Sequence, residues 1–384
     1  KMQIKNVLII THHYLNGVGG GVFASRAYIN AFAHIFENIS LLCPAQTNDN
    51  IESYEIEKKV HIIPVEYKLS KIHKLLNICT GNFNRFHNMF KIELENNKFD
   101  LIVFDNSKAS LKLIDIAKNF NCKVITIHHN CESEYIKDNM SGLLKHILLF
   151  WIKKYEKESI LKSDLNFTLT EYDKNKFNTI YDNNKIVKIE NLGCFEYREY
   201  DFTPTENTSN SNTNFLITGN LSAKQTVDSL STWINNYYPI LKKVYPNCKL
   251  TIAGKNPSNS LIKKCQSLDI TIISSPQSME SLLLKANFYI CPISKGGGIK
   301  LRVMDGLKAG LPVICHAISA RGYETMVSKG YVIPYCDTQS FELAIKKSLS
   351  LVYSKSKIIS EYKQYYSFQA GVHRIQKIIN NFLI

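Results

Sequence analysis

The sequence predicts an α/β protein made of two parallel-sheet domains facing a central cleft, and three observations predict it. Short runs of β-branched and aliphatic residues recur along the chain, each followed by a polar or glycine-rich turn and a stretch with helical spacing. This pattern stops once, at a Ser-, Thr- and Asn-rich segment after residue 200, and then restarts. The 384 residues are enough for two such units, each with its own core.

Residues 6–11 read as a strand buried on both faces. A loop over 12–21 carries Gly17, Gly19, Gly20 and Gly21, and residues 22–36 then place Phe23, Ala27, Ala31, Phe32 and Ile35 near helical spacing. Strand, glycine loop and helix open a Rossmann-like unit, although only Gly19, Gly21 and Ala24 fit the looser dinucleotide fingerprint. Further strands are predicted at 39–43, 61–65, 101–104, 123–127, 165–169 and 186–189, with helices over 108–119 and 142–162. Residues 201–214 are polar and without period, and read as a linker. Beyond it come strands at 215–218, 250–253, 270–273, 288–291, 313–315 and 331–333, and a helix over 227–243. The expected domains are 1–200, completed by a C-terminal helix near 361–384, and 215–360.

Composition narrows the function classes. With 45% hydrophobic and 21% charged residues the chain is too apolar for disorder. The apolar run 147–152 is far short of the ~20 residues of a bilayer span, and 7–10 is too brief for a cleavable leader. Ten cysteines lack any C-x-x-C pair and often sit inside apolar runs, which predicts reduced, buried thiols and a cytoplasmic location. The formal charge is +14, and residues 191–384 hold 22 Lys and Arg against 12 Asp and Glu. Such a field suits a phosphorylated ligand, a polyanion or an anionic membrane face. No stacking motif points to nucleic acid. A contact of the basic stretch 142–162 with the inner membrane is weighed against a core-packed helix with Lys153, Lys154 and Lys157 solvated. Glu156 and Glu158 interrupt the basic face, which favours core packing.

The densest chemistry lies in residues 292–315. A strand ends at Cys291, Gly296, Gly297 and Gly298 form a loop, and a helix is expected from Ile299 to Gly310. A glycine loop before a helix offers unpaired N–H groups to an anion, and Lys295, Lys300 and Arg302 add charge.

The pattern G-x-G-x-K-x-K/R-V-x-E/D-x-x-x-x-G-x-P-V over these residues resembles the nucleotide-sugar segment of the GT-B glycosyltransferases of family 4. Residues 216–221 and 248–254 are similar to strands and turns of that family's donor domain. Residues 125–132, with His129, are similar to its acceptor-domain histidine segment. The resemblance implies that Asp305 holds the ribose hydroxyls and that the amides at 296–298, Ile299 and Lys300 face the diphosphate and sugar. It also implies that Gly219 and Asn220 form the donor-domain turn, that His129 lines the acceptor side, and that Gly20 and Gly21 approach the diphosphate. The sequence departs from the family at four positions. Gly297 stands where a first glutamate is usual and Asp305 where a second is, Asn220 replaces an Arg, and Gln225 falls where a Lys is usual, with Lys224 one place early. His129, Lys300 and Lys224 are the expected catalytic side chains.

The resemblance implies a hexosyltransferase that moves sugar from a nucleoside-diphosphate donor, a UDP-sugar, to a glycan or lipid-linked saccharide, with retention and without a cofactor. No D-x-D is present to hold a divalent metal, and the histidine pairs 12–13 and 128–129 alternate in direction at strand ends, against a metal cluster. A nucleotide-sugar epimerase of the same shape, or a non-catalytic nucleotide-sugar or glycan-binding module, remains as an alternative.

Overall fold

The computed structural model describes residues 4–17, 19–45, 54–66, 69–181, 186–199 and 213–383; the 201–212 part of the expected linker lies outside them. The chain divides into two compact units, residues 1–199 with 297–299 and 367–384, and residues 200–296 with 300–366. The segment returning to the first unit was expected near 361. The Lys355–Tyr366 helix groups with the second unit, and the return comes at Ser367.

The first unit holds β1 (Asn6–Thr11), β2 (Asn38–Pro44), β3 (His61–Val65), β4 (Leu101–Asp105), β5 (Lys123–His128), β6 (Leu165–Thr168) and β7 (Ile189–Asn191). They form one sheet in the order β3-β2-β1-β4-β5-β6-β7, every neighbouring pair parallel. The second unit holds β8 (Asn214–Asn220), β9 (Lys249–Lys255), β10 (Thr271–Ser274), β11 (Phe288–Cys291), β12 (Val313–His316) and β13 (Val332–Tyr335). Their order is β10-β9-β8-β11-β12-β13, again all parallel.

Parallel strands covered by helices on both faces need apolar side chains in both directions, hence the unbroken runs in the sequence. Alternate residues of β1 enter opposite cores. Val7 and Ile9 pack with Tyr28 and Phe32 of the Gly20–Ile35 helix and with Ile375 of the Phe368–Phe382 helix. Leu8 and Ile10 pack with Phe86, Phe90 and Leu113. Gly371 is required where the last helix crosses Phe195, because a Cβ there would run into the ring. In the second unit Trp233, Phe288, Ile290 and Phe341 centre the core. Eight of the ten cysteines are buried and all are free; Cys336 is exposed.

Four elements differ from the sequence reading. The helix expected over 108–119 begins only at Leu113, because Asn106 and Lys112 take positive φ and the Asn106 side chain accepts the Lys108 N–H at 2.9 Å, making a turn. The helix expected over 227–243 is two, Lys224–Asn236 and Tyr238–Val244. Pro239 has no N–H to continue the first and opens the second. Pairing on β6 starts at Ile189, which leaves Ile186 exposed instead of in a strand. The helix after the glycine loop runs Arg302–Lys308, three residues later than expected, because Gly296 and Gly298 take positive φ just before it.

Candidate active site

In an open parallel sheet, ligands bind beyond the carboxyl ends of the strands where the strand order reverses. That point lies between β1 and β4 in the first unit, where Thr11 and Asp105 are in register. In the second unit it lies between β8 and β11, which brings Gly219 and Asn220 to the loop after Cys291. His129 lies on the first of these points, through Asp105, and Gly219 on the second, while Lys224 stays exposed at the start of its helix.

In the first unit the centre is Asp105, which is 1% exposed. One carboxylate oxygen accepts hydrogen bonds from the Thr11 hydroxyl at 2.7 Å and from the Ser25 hydroxyl. The other lies 2.5 Å from Nε2 of His129. Burial alone would raise this carboxyl, but the charge and hydrogen bond of His129, with His13 and Ser25, hold it well below the usual carboxylate range. An ionised Asp105 only accepts, so the shared proton sits on Nε2 of His129 and Nδ1 is left for another partner. Because folding depresses this pKa, the stability it contributes is present above about pH 4 and is lost only as pH falls through the lower folded value.

Two more imidazoles crowd this dyad. The His13 ring is 5.4 Å from that of His129 and 4.1 Å from that of His12. Burial pushes His13 down to about 4, against the pull of Asp105, and lowers His12 as well, so both are neutral at pH 7. Gly21 is needed here: a Cβ would lie 2.7 Å from the His13 ring. His128 points the other way, to Asn166 at 3.0 Å, and burial lowers it to about 4. The backbone after His129 is held by buried Glu156, which accepts the Glu132 N–H at 2.7 Å and the hydroxyls of Ser133 and Tyr181. Among the described residues no group of three or more His, Cys, Asp or Glu is arranged to hold a metal ion.

In the second unit the guanidinium of Arg302 lies against the backbone of Gly219, where a Cβ would collide with it. Its Nη2 donates to the Thr226 hydroxyl at 2.9 Å, while Nη1 is buried with no hydrogen-bond partner. A buried, unpartnered donor on a cation is costly unless a ligand completes it. Lys300 donates to the Gly296 carbonyl at 3.2 Å, and its own carbonyl accepts from Tyr323 at 3.0 Å. Gln225 donates to the Lys295 carbonyl. Asp305 lies in the first turn of the Arg302–Lys308 helix. With only seven residues that helix brings little dipole, so side-chain cations and loop amides carry the attraction for an anion.

Arg302 against Gly219, and Gln225 and Lys300 on the carbonyls of Lys295 and Gly296, thus bring these residues together, and Asp305 follows Arg302 by three residues on its helix. Asn220 is exposed and its Oδ1 accepts from the Ser222 hydroxyl at 2.8 Å and from the Ser222 N–H at 3.2 Å, so it shapes its own turn. Lys224 is exposed at the first residue of its helix, and Gln225, one residue on, reaches the glycine loop. Gly20 opens the Gly20–Ile35 helix. Gly297, Gly298 and Ile299 complete the loop before Lys300. Asp105 was not singled out in the sequence. Its one signal there is an acid closing an otherwise apolar run, at a strand end that the topology makes a switch point.

Residues 212–350 match the family described as Glycosyl transferases group 1. A protein described as "Uncharacterized 44.6 kDa protein in cps region", from Klebsiella pneumoniae, is 26% identical over 259 residues, 62% of this chain and 62% of that protein. Among solved structures, sucrose-phosphate synthase from Thermosynechococcus elongatus superposes with a TM-score of 0.69 at 14% identity, over 98% of both chains. HepE from Anabaena, in complex with UDP and glucose, gives a TM-score of 0.63 at 11% identity, over 98% of this chain and 100% of that one. The two parallel sheets, their strand orders and these similarities lead to one conclusion: the chain has the GT-B fold, and its residues 212–350 are similar to the Glycosyl transferases group 1 family.

Proposed function

We propose that this protein transfers a hexosyl residue from a UDP-sugar to a hydroxyl of a glycan or lipid-linked saccharide, with retention and without a metal. The observation that carries this reading is the buried, unpartnered Nη1 of Arg302 beside Gly219 at the β8–β11 switch point, next to Lys300 and the glycine loop. Asn220 and Gln225 cannot supply the cations that the family pattern has at those positions, and Arg302 with Lys300 takes up that role toward the diphosphate. Asp305 accepts the ribose hydroxyls. The complex of HepE with UDP and glucose supports UDP as the nucleotide. On transfer the bond from the sugar C1 to the phosphate oxygen breaks, the electron pair leaves on the diphosphate, and the acceptor oxygen bonds to C1. The acceptor proton passes to the departing phosphate. Fixed positive charge at that phosphate lowers the barrier, because it is aimed where negative charge develops.

A panel of UDP-sugars with and without saccharide acceptors tests this. UDP release that requires an acceptor is the expected result, and it is expected to persist in excess EDTA. Interconversion of sugars without acceptor would make the protein an epimerase, and binding without release would make it a binding module. Loss of activity in EDTA, restored by manganese, would overturn the metal-free reading.

A further inference from the structure

The first unit carries two helices with apolar side chains that its core leaves exposed. The Lys71–Thr80 helix has no buried residue, and Ile72 is 70% exposed, with Leu75 and Leu76 exposed beside it. In the Leu143–Lys162 helix, Leu148, Ile152, Glu156, Ser159 and Ile160 face inward. Leu143, Ile147, Phe150 and Lys154 recur at three- and four-residue spacing on the other side, with Leu143 78% and Phe150 65% exposed. The two helices pack together, the Tyr155 hydroxyl donating to the Cys79 carbonyl at 2.7 Å. Of the two acids that interrupt the basic face, Glu156 points into the core, and Glu158 remains on the outer side, near the C-terminal end of the helix.

Ten residues with no buried side chain make a helix that is marginal in water. An apolar face of this kind marks an interaction surface. Its charge identifies the occupant. Lys71, Lys74, Lys145, Lys153, Lys154, Lys157 and Lys162 lie on the two helices, against Glu156, which is buried, and Glu158. A second copy of the chain would bring the same positive charge against it, which opposes self-association. Exposed aliphatic and aromatic side chains amid lysines that outnumber the acids suit an interface of acyl chains and anionic headgroups. No described helix is long and apolar enough to cross a membrane, so the contact would be peripheral. We infer that the Lys71–Thr80 helix and the outer face of Leu143–Lys162 dock on an anionic lipid surface. This inference stands apart from the donor-site reading.

The test is flotation of the full chain with phosphatidylcholine vesicles and with vesicles containing about 30% phosphatidylglycerol. Binding to the anionic vesicles is expected to be about tenfold or more stronger, and to weaken at high salt. Leu143→Glu with Phe150→Glu is expected to abolish it, with the circular dichroism spectrum and UDP affinity of the parent retained. Ile72→Glu provides the same test on the other helix. Equal, weak binding to both vesicle types would overturn the inference, as would binding that survives these substitutions in folded protein. So would a dimer in solution that Phe150→Glu dissociates, since the face would then belong to a second copy.

Discussion

Asp105→Asn is expected to lower turnover by about a hundredfold while UDP affinity stays within about twofold. The carboxylate is buried, accepts from Thr11 and Ser25, and orients His129 through Nε2. The amide is nearly the same shape but carries no charge, so it no longer holds the proton on Nε2 or supports positive charge on the ring. His129→Ala is expected to cause a similar loss. Because Asp105 acts through His129, the double variant is expected to be no worse than His129→Ala alone. Additive losses would mean that Asp105 contributes separately. A fall in UDP affinity equal to the fall in turnover would move His129 to the donor side. Removing a buried charge can also destabilise the fold, so circular dichroism and the urea midpoint accompany the kinetics.

Asp305→Ala is expected to weaken UDP binding by roughly 1.5–3 kcal/mol, about ten- to a hundredfold, measured by titration calorimetry. An ionised carboxylate accepting two ribose hydroxyls makes charge-assisted bonds, stronger than neutral ones. The competing role is a helix-face ion pair with Arg302, three residues earlier, worth only about 0.3–0.5 kcal/mol to the helix. Arg302 reaches instead toward Gly219 and Thr226. Asp305→Glu is expected to be tolerated, because the longer acid keeps the charge and both acceptor oxygens. Unchanged affinity in a folded Asp305→Ala variant would place the nucleotide elsewhere.

The strands were legible because a sheet covered on both faces admits almost only apolar residues, so β1, β4 and β11 stand out as uninterrupted runs. The 292–315 segment was legible because loop, helix and next strand are contiguous in the chain. Asp105 was not, since its partners lie 94, 80 and 24 residues away and only the strand order brings them together. Arg302 read as one more charge on a helix, because its direction depends on Gly219, a residue without a side chain on a distant strand. Glu156 read as an acid interrupting a basic surface face, for a similar reason. The N–H that it satisfies belongs to another helix, Glu132–Asn139. Local pattern gives an element its type and its apolar face, while the polar side chains inside it answer to neighbours from elsewhere in the chain.

A crystal structure of the protein with UDP would show directly where the nucleotide binds. The diphosphate is expected on Arg302 Nη1, Lys300 and the 296–298 loop, beside Gly219, with the ribose hydroxyls on Asp305. UDP bound away from the β8–β11 switch point, with Nη1 of Arg302 still unpartnered, would contradict it.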